Sequence, residues 1–291
     1  MITLFLMTRK GLAVLEAVVG RFGAEAVGRV VGCPDPAVAR DYCDEIRAVA
    51  EKHRIVYQQR TQADPVGADE VCLAVGWRWL IGDTGRLVVI HDSLLPRYRG
   101  FAPLVSCLVE GEPRIGATAL LGAEGYDEGD VVAQESVDVA YPLRIADAIE
   151  LLTPVYERLA VEVVARVVAG EPLVGRAQRH EEATYSLWRD EDDYRVDWSW
   201  SAARIRRFVD AVGFPYRGAS CLAGDRPARL LDVSERPDVT VVNRTPGKVI
   251  FMSGRCPVVV CGDGLLAVER LVDDETGASL LPLARFRTRF R

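Results

Sequence analysis

Leu87-Val88-Val89-Ile90-His91-Asp92-Ser93-Leu94-Leu95-Pro96-Arg97-Tyr98-Arg99-Gly100 runs from an apolar strand into a polar loop. Its reading sets the architecture around it. The apolar run Leu87 to Ile90 has the length and β-branched content of a strand buried in a sheet. It stops at His91, and Pro96 then breaks the chain into a turn that carries two cations, Arg97 and Arg99. In open α/β sheets, ligands gather beyond the carboxyl ends of the strands, so a titratable ring directly after a buried strand is a candidate for chemistry. The residues alone point to an active-site loop, and a hydrogen-bonded structural histidine is an equal reading of His91.

Working outward, strand-like and helix-like segments alternate through the first half. Ile2 to Met7 is a short apolar run. The polar turn Thr8-Arg9-Lys10-Gly11 and a helix from about Leu12 to Val19 follow it. Arg29 to Val31, Ile55 to Tyr57 and Val71 to Val75 read as further strands, with a helix over Asp41 to His53. The alternation predicts an α/β fold with a Rossmann-like, mostly parallel sheet and helices on both faces. Helical spacing from Pro142 to Val168, ended by Gly170, leads to the polar stretch Glu171 to Glu182, where the domain boundary is placed. This predicts a catalytic domain over 1–180 and a smaller, mainly β domain over 181–291. In the latter, Ala202 to Val212 reads as a helix. Val239 to Val242, Lys248 to Met252, Val258 to Cys261 and Leu265 to Val268 read as strands of a small barrel or sheet.

The composition narrows the classes. Hydrophobic residues are 49% and charged residues 27% of the chain, and no apolar stretch approaches the roughly 20 residues that cross a bilayer. The chain enters a strand at its first residues with no secretory leader pattern, so the expectation is a cytoplasmic protein without a membrane partner. Seven cysteines without CxxC spacing read as structural thiols and not as a metal cluster or a disulfide framework. A net charge of −6 argues against nucleic acid as the main partner but allows an anionic small molecule held by a few arginines. No glycine-rich fingerprint follows the first strand, which argues against a dinucleotide.

HDSLLPRYRGFAP, residues 91–103, resembles the HxSLLPxxRGxxP signature of folate-dependent formyltransferases. That group includes methionyl-tRNA, glycinamide ribonucleotide and nucleotide-sugar formyltransferases. The family's second element, an Asp-x-Gly turn, is matched 36 residues beyond His91 by Tyr126-Asp127-Glu128-Gly129-Asp130-Val131-Val132. Ile115-Gly116-Ala117-Thr118-Ala119-Leu120 looks like the strand between the two. Ala183 to Asp190, Asp193 to Trp198, Phe208 to Tyr216 and Phe286 to Phe290 look like the nucleotide-sugar branch.

The resemblance implies an N-formyltransferase that moves a formyl group from 10-formyltetrahydrofolate to a primary amine, most like that of a nucleotide-linked amino sugar. His91 is suited to donate to the oxygen that gains charge, and Asp127, if close, to favour the protonated ring and help accept the amine's proton through water; neither needs a metal. Trp79, Leu80 and Ile81, with Leu94 and the Tyr126–Asp127 wall, are implied as the folate slot, although aromatic residues there also read as ordinary core. Thr8, Arg9 and Lys10 open the first helix, where free N–H groups favour phosphate, and with Arg97 and Arg99 they are the expected contacts of an anionic substrate. A homodimer is an option the resemblance leaves open. One position departs from the pattern, because the usual Asn-x-His has Val89 in place of the amide. Losing one oxyanion donor costs about 10²–10³ in rate. Substitution by a backbone N–H or an ordered water is the favoured reading. A formyl-folate hydrolase and a non-catalytic folate or nucleotide-sugar binding homologue are the alternatives.

Overall fold

The computed structural model describes residues 1–82 and 85–291. The chain divides into two compact units. The first comprises 1–104, 114–138 and 147–187, and the second 105–113, 139–146 and 188–291.

In the first unit, strands β1 (Ile2–Leu6), β2 (Val27–Gly32), β3 (Val56–Gln59), β4 (Cys72–Val75), β5 (Leu87–His91), β7 (Arg114–Leu121) and β8 (Val131–Asp138) form one sheet in the order β3-β2-β1-β4-β5-β7-β8. The first five run parallel, and β7 and β8 are antiparallel to their neighbours. This is the expected mostly parallel architecture. The β1 and β4 strands are buried at every position, which is why they read as unbroken apolar runs. The chain builds outward from β1 to β3, then returns to lay β4 on the other side of β1, so the order reverses between β1 and β4. Such a switch point opens a crevice at the carboxyl ends of the strands. Helices α1 (Thr8–Phe22), α2 (Cys43–Lys52) and α4 (Ile145–Ala169) cover the sheet, each burying an apolar stripe, and the short helix α3 (Pro103–Glu110) precedes β7 in the chain. His91 is the last residue of β5 and not the first beyond it. A two-residue strand β6 (Arg99–Gly100) pairs with β9 (Tyr185–Ser186), so the first unit runs past residue 180 to Leu187.

In the second unit, α5 (Ala202–Val212) packs on an antiparallel sheet. Its strands are β10 (Ala219–Ala223), β11 (Arg226–Arg236), β12 (Val249–Ser253), β13 (Cys256–Val260) and β14 (Leu265–Asp273), in the order β10-β11-β14-β13-β12. Ser201 caps α5 by accepting the Arg204 N–H. The C-terminal residues close the sheet into a small barrel, because Phe290 bridges Ala223 next to Arg289 bridging Lys248. The predicted strand Val239 to Val242 is irregular instead. There Arg244 donates to the Asp238 carboxylate and to the Val239 carbonyl, which meets locally a backbone need that a strand partner would otherwise meet. Strands β10 and β11 escaped the sequence reading; in β11 a register shift against β14 around Asp232 interrupts the alternation. Among the described residues no helix is long and apolar enough to cross a membrane.

Candidate active site

The carboxyl end of β5 brings the two sequence motifs together. His91 is 8% exposed, and Asp127 Oδ2 lies 3.5 Å from its Nδ1. On the other side of the ring, Nε2 is 2.8 Å from the Tyr98 carbonyl oxygen. A carbonyl only accepts, so Nε2 carries a hydrogen and the neutral ring keeps its lone pair on Nδ1, facing Asp127. The loop between His91 and Tyr98 is fastened from within. Ser93 Oγ donates to the Arg97 carbonyl at 2.7 Å, and the Thr118 hydroxyl of β7 donates to the Ser93 carbonyl at 2.6 Å while accepting the Leu95 N–H at 3.2 Å. Gln134 of β8 donates to both the Leu95 carbonyl and the Thr118 hydroxyl.

Asp127 sits at φ 54, a left-handed conformation that aspartate tolerates better than most residues. Its Oδ2 accepts the Gly100 N–H at 2.8 Å. The turn needs Gly129 because a Cβ there would stand 1.7 Å from the Leu121 carbonyl oxygen. That close approach is the physical content of the Asp-x-Gly element.

The expected folate residues flank β4 and β5. Trp77 packs edge-on to Phe5 and to Trp79, and with Ile81, Leu87 and Val89 it lies against the buried Phe5, Val31, Cys72 and Ala74. Val89 is thus part of an apolar wall and offers no donor. Trp79 and Leu80 are exposed, Ile81 and Leu94 are half-buried, and Tyr126 is exposed beside Phe101.

The expected substrate residues divide. Arg9 is half-buried and 3.6 Å from Glu150, and Arg97 is exposed and stacks over Tyr98. Thr8 lies at φ 64, and its buried Oγ1 has no hydrogen-bond partner among the described residues. Lys10 turns inward. Its ammonium bonds both oxygens of Asp92, at 2.6 Å for Oδ1, and lies 4.8 Å over the Tyr156 ring. Burial alone would push the Asp92 carboxyl up, but the Lys10 charge, the Tyr156 hydroxyl and His91 outweigh it and hold Asp92 below the usual carboxylate range. Burial and the Asp92 charge push the Tyr156 phenol well up. Arg99 is fully buried, and its donors go to Gln178, Glu128, His180 and Tyr185, so it is not an open cation. Lys10 and Arg99 are therefore internal, because each spends its charge on its own chain. Sequence reasoning missed Asp92, Tyr156, Thr118 and Gln178, which are ordinary polar residues until the fold sets them beside the site.

A cavity of about 380 Å³ lies in the second unit, lined by residues that include Ser106, Glu110, Arg189 and Trp200; His91 and Asp127 are not among them.

The chain is similar to known proteins over both units. The family described as "Formyl transferase" matches residues 52–153, and "Formyl transferase, C-terminal domain" matches 189–279. The methionyl-tRNA formyltransferase of Anaeromyxobacter dehalogenans (strain 2CP-C) is 33% identical over 211 residues, covering 69% of this chain and 65% of that protein. This chain thus spans a little under two thirds of that relative's length. The methionyl-tRNA formyltransferase of Chloroflexus aurantiacus (strain J-10-fl) is 32% identical over 271 residues, covering 87% and 85% respectively. Among solved structures, WlaRD, a sugar 3N-formyltransferase determined with dTDP and 5-N-formyl-THF, superposes with a TM-score of 0.67 at 13% identity over 91% of this chain and 96% of that one. An N-formyltransferase from Helicobacter canadensis, in complex with folinic acid and dTDP-3-aminofucose, superposes with a TM-score of 0.68 at 14% identity over 92% and 99%. On these matches, the chain belongs to the formyl transferase family.

Proposed function

We propose that this protein is an N-formyltransferase that moves the formyl group of 10-formyltetrahydrofolate to a primary amine carried by a nucleotide-linked sugar. The approach of Asp127 Oδ2 to His91 Nδ1 at 3.5 Å carries the reading, because it joins two groups that this reaction needs at one point. The bound folate supplies a formyl carbon open to attack by an amine. The residues present fit such a group: Trp77, Ile81, Leu87 and Val89 give a dry wall for a planar heterocycle, and Trp79 and Tyr126 are exposed aromatic faces.

The chemistry of the chain's own residues follows from the ring orientation. Tyr98 fixes the Nε2 hydrogen, so Nδ1 is the nitrogen that takes up a proton, and a proton placed there can be donated to an oxygen gaining negative charge. Asp127, with its Oδ2 3.5 Å from Nδ1, offers an acceptor for the proton the amine must lose. The first oxyanion donor is then His91, and a backbone N–H or an ordered water stands in for the amide replaced by Val89. Thr8, Arg9 and Arg97 are the side chains assigned here to an anionic substrate.

The nucleotide-sugar acceptor is supported by the C-terminal motifs, by the net charge of −6 and by the sugar formyltransferases that share the fold. A second reading, methionyl-tRNA as acceptor, is favoured by the relatives at 33% and 32% identity. A thermal-shift screen with reduced folates, followed by mass detection of acceptors heavier by one CO unit, separates the readings. A formylated amino-sugar nucleotide supports the proposal, and formylated methionyl-tRNA supports the second reading. Formate release that is independent of any amine identifies a hydrolase. Absence of stabilisation by every folate overturns the assignment.

A further inference from the structure

We infer that Gln178 is a positioning residue for the transfer, holding the Asp127 turn so that its carboxylate stays against His91. The kinetic half of this inference rests on the function proposed above; the structural half does not.

Gln178 is 8% exposed and works at both ends. Its Oε1 accepts from Arg99 Nε at 3.1 Å and Nη2 at 2.8 Å. Its Nε2 donates to the Asp127 carbonyl at 2.7 Å and to the Gly129 carbonyl at 2.8 Å. The two donor hydrogens of one amide thus span the Asp-x-Gly turn. Only a carboxamide presents an acceptor to the guanidinium and two donors to the carbonyls from one neutral group of this length. Asp127 needs such restraint because its left-handed φ of 54 is a sparsely populated conformation that persists only where the surroundings impose it. Arg99 is the anchor. It is fully buried, its Nη1 is held by Glu128 at 3.2 Å and by His180 at 3.3 Å, and β6 fixes its backbone against β9. Gly100, the next residue, donates its N–H to Asp127 Oδ2. Backbone and side chain of Asp127 are therefore both tied to the Arg99–Gly100 strand, the backbone through Gln178 and the carboxylate directly.

Gln178→Glu is the decisive variant. It keeps the acceptor for Arg99, and so the buried pairing, but turns an acceptor toward two carbonyl oxygens that lose both donors. Gly100 gives a readout independent of catalysis, since its amide proton resonance reports the bond to Asp127, with Asp127→Ala as the reference for its loss. In Gln178→Glu and Gln178→Ala, the Gly100 amide is expected to move toward the Asp127→Ala position. The kcat is expected to fall roughly tenfold to a hundredfold with KM for the folate unchanged, the size of loss that a small misplacement of a reacting group produces. A Gln178→Glu protein with the wild-type Gly100 resonance and kcat within twofold overturns the inference. If the wild type formylates no amine, the Gly100 resonance alone decides, so failure of the transfer reading and failure of the positioning role are separately visible.

Discussion

Lys10 Nζ is bonded to both carboxylate oxygens of Asp92, the residue that follows His91, and so fastens the first turn of α1 to the end of β5. Lys10 is 8% and Asp92 23% exposed at the side chain, and Tyr156 of α4 donates to the same carboxylate at 2.6 Å. Lys10→Met leaves that carboxylate without its cation, and a broken buried pair costs about 3 kcal/mol or more. A marked drop in the urea midpoint is expected. Adding Asp92→Asn to Lys10→Met is expected to recover part of it, because the uncompensated charge is gone.

The same pair sets an acid limit to stability. The folded Asp92 carboxyl is held below its ordinary value, so its contribution is complete above the unfolded value of about 3.9 and is lost as pH falls through the lower folded value. Urea midpoints measured from about pH 5 to pH 2 should fall more steeply in the wild type than in Asp92→Asn. Equal slopes would show that the pair contributes no pH-dependent stability.

Gly129→Ala places a methyl group on the Leu121 carbonyl, which is backbone and cannot swing away. The turn must shift and take Asp127 with it. The expected loss is about 2 kcal/mol of stability, as for overpacking of a tight site, with kcat lowered at least about tenfold.

Val89→Asn tests whether another donor has replaced the missing amide. An amide set among Val31, Cys72 and Ala74 costs roughly 1–3 kcal/mol if it finds no partner. With a substitute donor in place, kcat is expected to change by less than about threefold, against the rise of about 10² expected if the oxyanion had lacked a second donor.

Much of this architecture was legible in the sequence, and the legible parts share a physical cause. The strands β1 and β4 are buried at every position, β5 is buried on one face and half-buried at Leu87 and Val89 on the other, and all three read as apolar runs, with His91 ending the last of them. The Asp127 turn was legible as a motif because Gly129 has no room for a side chain. Partners of charged residues were not legible. Lys10 meets Asp92 across 82 residues, and Arg99 meets Gln178 across 79, separations at which no local pattern specifies a contact. Both cations consequently read as substrate ligands although the fold uses them internally. Gln178 lies inside the polar stretch Glu171 to Glu182, where low hydrophobicity conceals a buried amide.

The proposed transfer turns on His91, oriented by Tyr98 and paired with Asp127. Its most direct test is the initial rate of tetrahydrofolate formation at saturating 10-formyltetrahydrofolate and amine, compared between the wild type and His91→Gln and Asp127→Asn. Each variant is expected to bind the folate as tightly as the wild type and to lose about 10² to 10⁴ in kcat. Variants that bind the folate normally and keep kcat within a few-fold of the wild type would contradict it.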